Sequence, residues 1–321
     1  MSKRCGSGLK LGAIRSASFS GMPARVLITG GTGLLGLNWA ASIKNTHHVI
    51  LGIHQRAVQL PDIATQPLSL ESVDNFLENL DLIKPDCIIH TAGLAGVELC
   101  EEKPDLAYHV NVELAENVAR ACALRGIQHA HISTDHLFRG DCAFLNEEAP
   151  VDPINIYGKT KAEAEVRVHE VYPDALVIRT NFYGWGPSYR PSYSDWVLNN
   201  LKMKHPITLF KDVFYTPIYI GKLVQVVHQL LERGAIGTYN VVGDERVSKW
   251  EFGMQLASTF GLDENLISAG SVHSQPNRVV RPIDMSLSNK KVSTGLGIHV
   301  GGIKQHLLLM AQSHNSELEA I

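Results

Sequence analysis

The chain starts without acid: no Asp or Glu precedes Asp62. Residues 1–22 carry Lys3, Arg4, Lys10 and Arg15 among serines and glycines. A basic, serine-bearing, acid-poor start fits either an organelle-targeting segment or a disordered extension ahead of a natural start at Met22, and the second reading is preferred. The continuous apolar core of a secretory signal is missing. No apolar run approaches the roughly 18 residues that span a bilayer, which excludes a membrane partner. Cysteines are few, and Cys5, Cys87, Cys100, Cys122 and Cys142 form neither a CxxC pair nor a zinc spacing. Such an odd, dispersed set reads as reduced thiols in a cytoplasmic protein and excludes a disulfide scaffold. Charge of one sign is also lacking: 29 basic against 32 acidic residues leave a net charge of −3, which argues against nucleic acid as a partner. There is no internal repeat and no low-complexity segment.

What is present is an ordinary globular composition, 45% apolar, long enough at 321 residues for about two domains. Strands are predicted at Arg25–Thr29, Val49–Ile53, Asp86–His90, His129–Ser133 and Ala175–Arg179. Helices are predicted between them: Leu34–Lys44, Glu71–Leu82, a long Pro104–Leu124 with Leu106, Val110, Leu114, Val118 and Ala121 on one stripe, and Tyr157–Val171. Strands alternating with helices predict an α/β fold, a doubly wound parallel sheet of Rossmann type over residues 23–180. Beyond Thr180 the alternation weakens. Asn181–Pro191 reads as a loop, with helices at Ser194–Lys202, Ile220–Glu232 and Gly301–Ala311 and a strand at Thr238–Val242. Ser248-Lys-Trp-Glu251 is a capping-box pattern opening a helix to Phe260. Residues 181–321 are therefore expected to form a smaller mixed substrate lobe that partly returns to the main sheet.

The first strand runs into Thr29-Gly-Gly-Thr-Gly-Leu-Leu-Gly36. Glycines at 30, 33 and 36 let the backbone turn tightly and lie against a pyrophosphate, which the following helix start attracts with free N–H groups and its positive dipole end. An NAD-preferring site commonly ends its second strand on an acid. Here Ile53-His-Gln-Arg56 has none. Arg56 either meets the 2′-phosphate of NADP or is a solvated loop residue, so NADP is favoured with NAD as the alternative.

Tyr157-Gly-Lys-Thr-Lys161 sets a phenol and an ammonium one helical turn apart. A cation held close is expected to lower the phenol's pKa, and such a Tyr can protonate a carbonyl oxygen as hydride reaches its carbon. Thr134 ends the strand before, on the side of a parallel sheet that faces the ligand crevice. Its hydroxyl can orient that carbonyl.

These features together resemble an extended short-chain dehydrogenase/reductase, and more closely the dTDP-4-dehydrorhamnose reductase family of sugar-nucleotide-binding proteins. The matching residues are Val26 to Gly36, Pro85 to Gly93, Asn111-Val112, Ile132-Ser-Thr-Asp135, Asn155 to Lys161, Arg179-Thr180, and later Arg281-Pro-Ile-Asp284 with Leu287 and Lys291. The resemblance implies a catalytic set of Thr134, Tyr157 and Lys161, with Tyr157 as the acid. It implies that Gly30, Gly33, Leu34, Leu35 and Gly36 line the pyrophosphate, that Ala92 and Gly93 line the adenosine side, and that Lys161 touches the nicotinamide ribose. Asn111 either supports this site or is a surface residue. Relatives that eliminate water carry Asp-Glu after the Thr; here Asp135-His136 follows it, which favours a reductase, while an epimerase shares the same three residues and stays open. His136 reads either as a base or as an ordinary polar contact, and the second is preferred.

Substrate contacts are expected from Asp135, Asn181, Trp185 and Arg281. Tyr183 and Tyr189 flank Trp185 in a loop where a base or sugar could stack, unless the Trp is a hydrophobic plug. Arg281 meets either a diphosphate or an acid such as Asp284. His129 and His131 share a strand face but have no accompanying ligands, so no metal is expected. Gln66–Ser69 and Tyr219-Ile-Gly221 depart from the family pattern. The resemblance also allows a homodimer, and it leaves a cofactor-binding regulatory subunit, like that of methionine adenosyltransferase, as the alternative to an enzyme.

Overall fold

The computed structural model describes residues 23–274 and 279–313, so the reading of the first 22 residues lies outside it. Its first part runs β1 (Arg25–Thr29), α1 (Leu34–Ile43), β2 (His48–Ile53), β3 (Ala64–Pro67), α2 (Val73–Ile83), β4 (Cys87–His90), α3 (Val97–Glu102), α4 (Pro104–Tyr108), α5 (Leu114–Arg125), β5 (Gln128–Ile132), α6 (Ile156–Val171) and β6 (Leu176–Arg179). The remainder runs β7 (Phe182–Tyr183), α7 (Tyr193–Lys202), β8 (Ile207–Phe210), β9 (Phe214–Tyr215), β10 (Ile218–Tyr219), α8 (Ile220–Glu232), β11 (Gly237–Asn240), β12 (Val247–Ser248), α9 (Lys249–Thr259), β13 (Ile267–Gly270), α10 (Lys290–Leu296) and α11 (Ile303–Gln312).

Seven strands form one sheet in the order β11-β6-β5-β4-β1-β2-β3, every pair parallel. β4 and β6 are buried along their whole length, as expected of strands covered on both faces. The chain leaves β1 toward β2 on one side and later returns to β4 on the other. This reversal opens a crevice at the carboxyl ends of β1 and β4, where ligands of such sheets bind. Short β3 carries Pro67 at its end, which suits an edge strand with no further neighbour.

The long helix expected from Pro104 to Leu124 is interrupted. Residues His109–Glu113 form a π turn between α4 and α5. The extra residue rotates α4 out of the stripe, so Leu106 is exposed while Val118 and Ala121 are buried. It also turns Asn111 inward. The Asn111 amide donates to Leu94 O at 3.1 Å and to Thr160 Oγ1 at 3.0 Å, and its carbonyl accepts from Leu94 N at 2.7 Å.

After β6 the chain builds small two-stranded pairs, β7 with β10, β9 with β12 and β8 with β13, and β11 returns to the main sheet beside β6. Both bonds of the capping box at Ser248 and Glu251 are made, so α9 starts at Lys249 as the pattern predicts. Ser192 and Asp195 cap α7 in the same way. Bridges Leu145–Leu287 and Phe214–Asp284 tie the later segment to both parts. Among the described residues, no helix is long and apolar enough to cross a membrane.

Candidate active site

The glycine turn sits at the mouth of the crevice. Gly30 has φ +69°, and a Cβ there would come 2.6 Å from Ala92 N, so the turn is pressed against the end of β4. Gly33 N–H donates to Gly30 O at 2.9 Å, and Gly36 packs so tightly that an added Cβ would lie 2.7 Å from Gly30 O. Gly33 is the N-cap of α1 and supplies no side-chain acceptor. The first amides of α1, at Leu34, Leu35 and Gly36, therefore point into a cradle of bare backbone suited to an anion. Ala92 and Gly93 form its opposite wall, and Asn111 holds the adjacent Leu94 backbone on both its polar atoms.

Thr134, Tyr157 and Lys161 come together beside this cradle. Asn155 caps α6 by accepting from Gly158 N–H at 2.8 Å, which fixes the turn that carries Tyr157. Thr134 and Lys161 are buried, at 4% and 6% exposure. The Thr134 side chain works to lower the Tyr157 pKa, but burial dominates and pushes the phenol up to about 12. The expectation that Lys161 lowers this value is not met, because the ammonium points elsewhere. Lys161 Nζ donates to Ile132 O at 2.7 Å and stands 3.3 Å from His131 Nε2. Burial pulls its pKa down to about 8, against which the Glu165 carboxylate works.

Behind Lys161 lies a row of buried imidazoles. His131 stacks on His90 with centroids 5.4 Å apart, and His90 Nδ1 meets Thr29 Oγ1 at 2.7 Å. Burial holds both rings well below the ordinary His value, so they are neutral near pH 7. A neutral His131 can accept from Lys161 where a cation would repel it. His131→Leu is therefore expected to free Nζ from one of its two anchors and to lower turnover several-fold more than it raises the KM for cofactor; equal effects on both would argue against a positioning role.

The other sequence candidates divide. Asp135 is buried beside Thr134, and Asn181 Nδ2 donates to its Oδ2 at 2.6 Å, so both face the site together. Burial raises the Asp135 pKa. Trp185 does not face the site: it is 7% exposed, donates from Nε1 to Met310 O at 3.1 Å and packs edge-on against Phe260. It is a core residue, held there because its N–H finds a carbonyl inside the fold. Tyr183 is likewise buried, against Phe252 at 4.9 Å. Arg281 pairs with both oxygens of Glu98 at 2.7 Å, whereas Asp284 pairs with Arg246. Arg56 is exposed and lies 3.9 Å above the Tyr189 ring, whose hydroxyl donates to Thr32 O at 2.7 Å. The Tyr189 loop thus reaches the glycine turn and props Arg56 beside it.

One residue escaped the sequence reading. Lys249 begins α9, and its Nζ lies 3.4 Å from the Tyr215 ring centroid and 4.9 Å from that of Tyr193. Burial draws it down to about 8, and the Asp135 and Arg281 charges both act on it. The capping box located its backbone, but the β9–β12 pairing that brings it to the site has no local signal. His136, open in the sequence as a base or a polar contact, stands with its ring edge-on to Tyr157.

A family model described as the RmlD substrate binding domain matches residues 24–315. The chain belongs to that family. Among curated proteins it is similar to a probable low-salt glycan biosynthesis reductase, Agl14, of Haloferax volcanii, 29% identical over 274 residues that cover 84% of this chain and 91% of that protein. It is also similar to methionine adenosyltransferase 2 subunit beta of Rattus norvegicus, 28% identical over 247 residues, 74% of this chain and 72% of that one. Among solved structures it resembles dTDP-4-dehydrorhamnose reductase from Bacillus anthracis in complex with NADP, with TM-score 0.80 and 25% identity over 91% of this chain and 100% of that chain.

Proposed function

We propose that this protein is an NADPH-dependent reductase of a nucleotide-linked keto sugar, with Tyr157 as proton donor. The observation that carries the reading is the convergence of Thr134, Tyr157 and Lys161 beside the bare glycine cradle at the β1–β4 crevice. The residues fit a dinucleotide: the uncapped start of α1 receives the pyrophosphate, Ala92 and Gly93 the adenosine side, and Arg56 the 2′-phosphate. When bound, the cofactor supplies hydride to the carbonyl carbon. The protein's part is to hold the carbonyl oxygen between the Thr134 and Tyr157 hydroxyls and to deliver the phenolic proton to it. Lys161 orients the ribose. In this reading residues 23–180 carry the cofactor, and the segment from 181 onward carries the sugar nucleotide through Asn181. The four described cysteines are all free, which suits a cytoplasmic setting.

The test is loss of NADPH absorbance on adding a dTDP-4-keto-6-deoxy sugar to the purified protein. The likeness to the methionine adenosyltransferase subunit favours a second reading, a cofactor-binding regulatory subunit. Recovery of one large enzyme in pull-downs, with no turnover on any keto sugar, would select it.

Two outcomes follow from the cradle and from Lys161. Gly30→Ala forces a side chain into the left-handed region, at about 1–2 kcal/mol, and into the β4 backbone. It is expected to lower the melting temperature and to weaken NADPH binding at least tenfold by fluorescence titration. The kcat/KM for NADPH is expected to fall as pH rises through about 8, because the free protein then loses the Lys161 proton. For stability the sign is opposite. The folded value lies below the ordinary 10.5, so between the two the unfolded chain binds more protons and this group's contribution grows with pH.

A further inference from the structure

Reducing a carbonyl needs one proton donor, and Tyr157 fills that place. The same wall holds a second titratable group for which reduction has no use. His136 is pinned at both ends: its N–H donates to Thr134 Oγ1 at 3.3 Å, and its carbonyl oxygen lies against Gly158, leaving no room for a Cβ there. The ring is thereby held edge-on to Tyr157, with centroids 5.4 Å apart at 75°. Nδ1 is buried and makes no hydrogen bond to another described residue. Nε2 faces Asp135 Oδ1 at 3.9 Å, and the side chain keeps 14% exposure. That separation is too long for a hydrogen bond but short enough to stabilise an imidazolium. Asp135 is itself fixed, with Oδ1 accepting from Thr134 and Oδ2 from Asn181. Both oxygens act as acceptors, as in a carboxylate. Burial, Lys249 and Arg281 all lower the proton affinity of His136, and Asp135 raises it; the net lowering leaves a neutral ring with a lone pair to give.

We propose that Asp135 and His136 form a second proton-transfer pair that removes and returns a proton on the carbon next to the substrate carbonyl. The substrate class rests on the reading above, a nucleotide-linked keto sugar. In the step, the C–H bond breaks and its proton goes to His136 Nε2. The electron pair forms a C=C bond, and the carbonyl π pair moves to oxygen, which takes the Tyr157 proton. Asp135 balances the imidazolium, and the Thr134 side chain favours the phenolate. His136, partly open to solvent, exchanges that proton, and reversal restores the ketone with a solvent-derived hydrogen on the same face. Nothing is oxidised or reduced overall, and no co-reactant is consumed.

The test uses the full chain saturated with NADP⁺, which has no hydride to give, incubated with dTDP-4-keto-6-deoxyglucose in D₂O. Recovered sugar is read by mass spectrometry and proton NMR, and reduction is followed in parallel with NADPH. Deuterium is expected at a carbon flanking the carbonyl at least tenfold faster than without protein. His136→Phe and His136→Gln are both expected to bring the rate down to that of the protein-free control, with dinucleotide binding as the check that each has folded. Reduction without deuterium uptake overturns the proposal and leaves the reductase standing. Uptake without reduction supports the proposal and overturns the reductase. Absence of both overturns both, and uptake undiminished in either folded variant overturns the role of His136.

Discussion

Replacing Tyr157 by Phe is expected to lower kcat about 10²–10⁴-fold on a keto sugar substrate, the usual worth of a positioned proton donor. The KM for NADPH should change little, because the glycine cradle, Lys161 and Arg56 all remain. The physical ground is the environment of the phenol. Burial pushes it up to about 12, so it is fully protonated through the neutral range and has a proton to give. The Thr134 hydroxyl works in the opposite direction by favouring the phenolate, so Thr134→Val should also slow turnover, by a smaller factor. Stopped-flow loss of NADPH absorbance in a single turnover separates the chemical step from product release. Undiminished single-turnover rates in Tyr157→Phe would remove the phenol from the mechanism.

The largest stability effect is expected at Glu165. It lies on α6 at 5% exposure, and Arg179, also at 5%, donates to it from Nε at 3.0 and 3.1 Å and from Nη2 at 2.7 Å. Ser133 Oγ adds a further bond at 2.5 Å. Glu165→Ala leaves the guanidinium buried with only the Glu147 carbonyl, at 3.3 Å, as acceptor. Breaking a buried pair from one side costs about 3–5 kcal/mol. At roughly 2 °C per kcal/mol for a chain of this size, melting should fall by about 6–10 °C. Replacing both partners by Leu should recover much of that loss, since no buried charge is then stranded. The same carboxylate supports the Lys161 ammonium, so Glu165→Ala should also move the alkaline fall in kcat/KM to lower pH. Thermal melts of the single and double variants decide the first point, and a melting temperature unchanged in the single variant would contradict it.

Much of the frame is local in origin. Arg25–Thr29 is read correctly because a short apolar run ending in glycines has few other conformations, and α9 because its capping residues are three apart in the chain. The Tyr157 and Lys161 pair is likewise legible from helical spacing. Their electrostatics are not. An i, i+4 spacing places two Cα atoms on one face, but the direction of Nζ is chosen by Ile132 O and His131, which belong to β5. Trp185 shows the same limit: its loop leaves a stacking partner and a hydrophobic plug equally open, and the Met310 carbonyl decides for the plug by drawing the indole inside.

From the order of residues alone came the alternating strands and helices, the glycine turn, and the Thr134, Tyr157 and Lys161 set, since each is encoded by neighbours within a turn or two of chain. Tertiary structure alone decided that Arg281 meets Glu98, that Lys249 stands near Asp135, and that His136 lies edge-on to Tyr157. These contacts depend on how α6, α9 and the strand ends pack around one crevice, and short-range spacing carries no record of that packing.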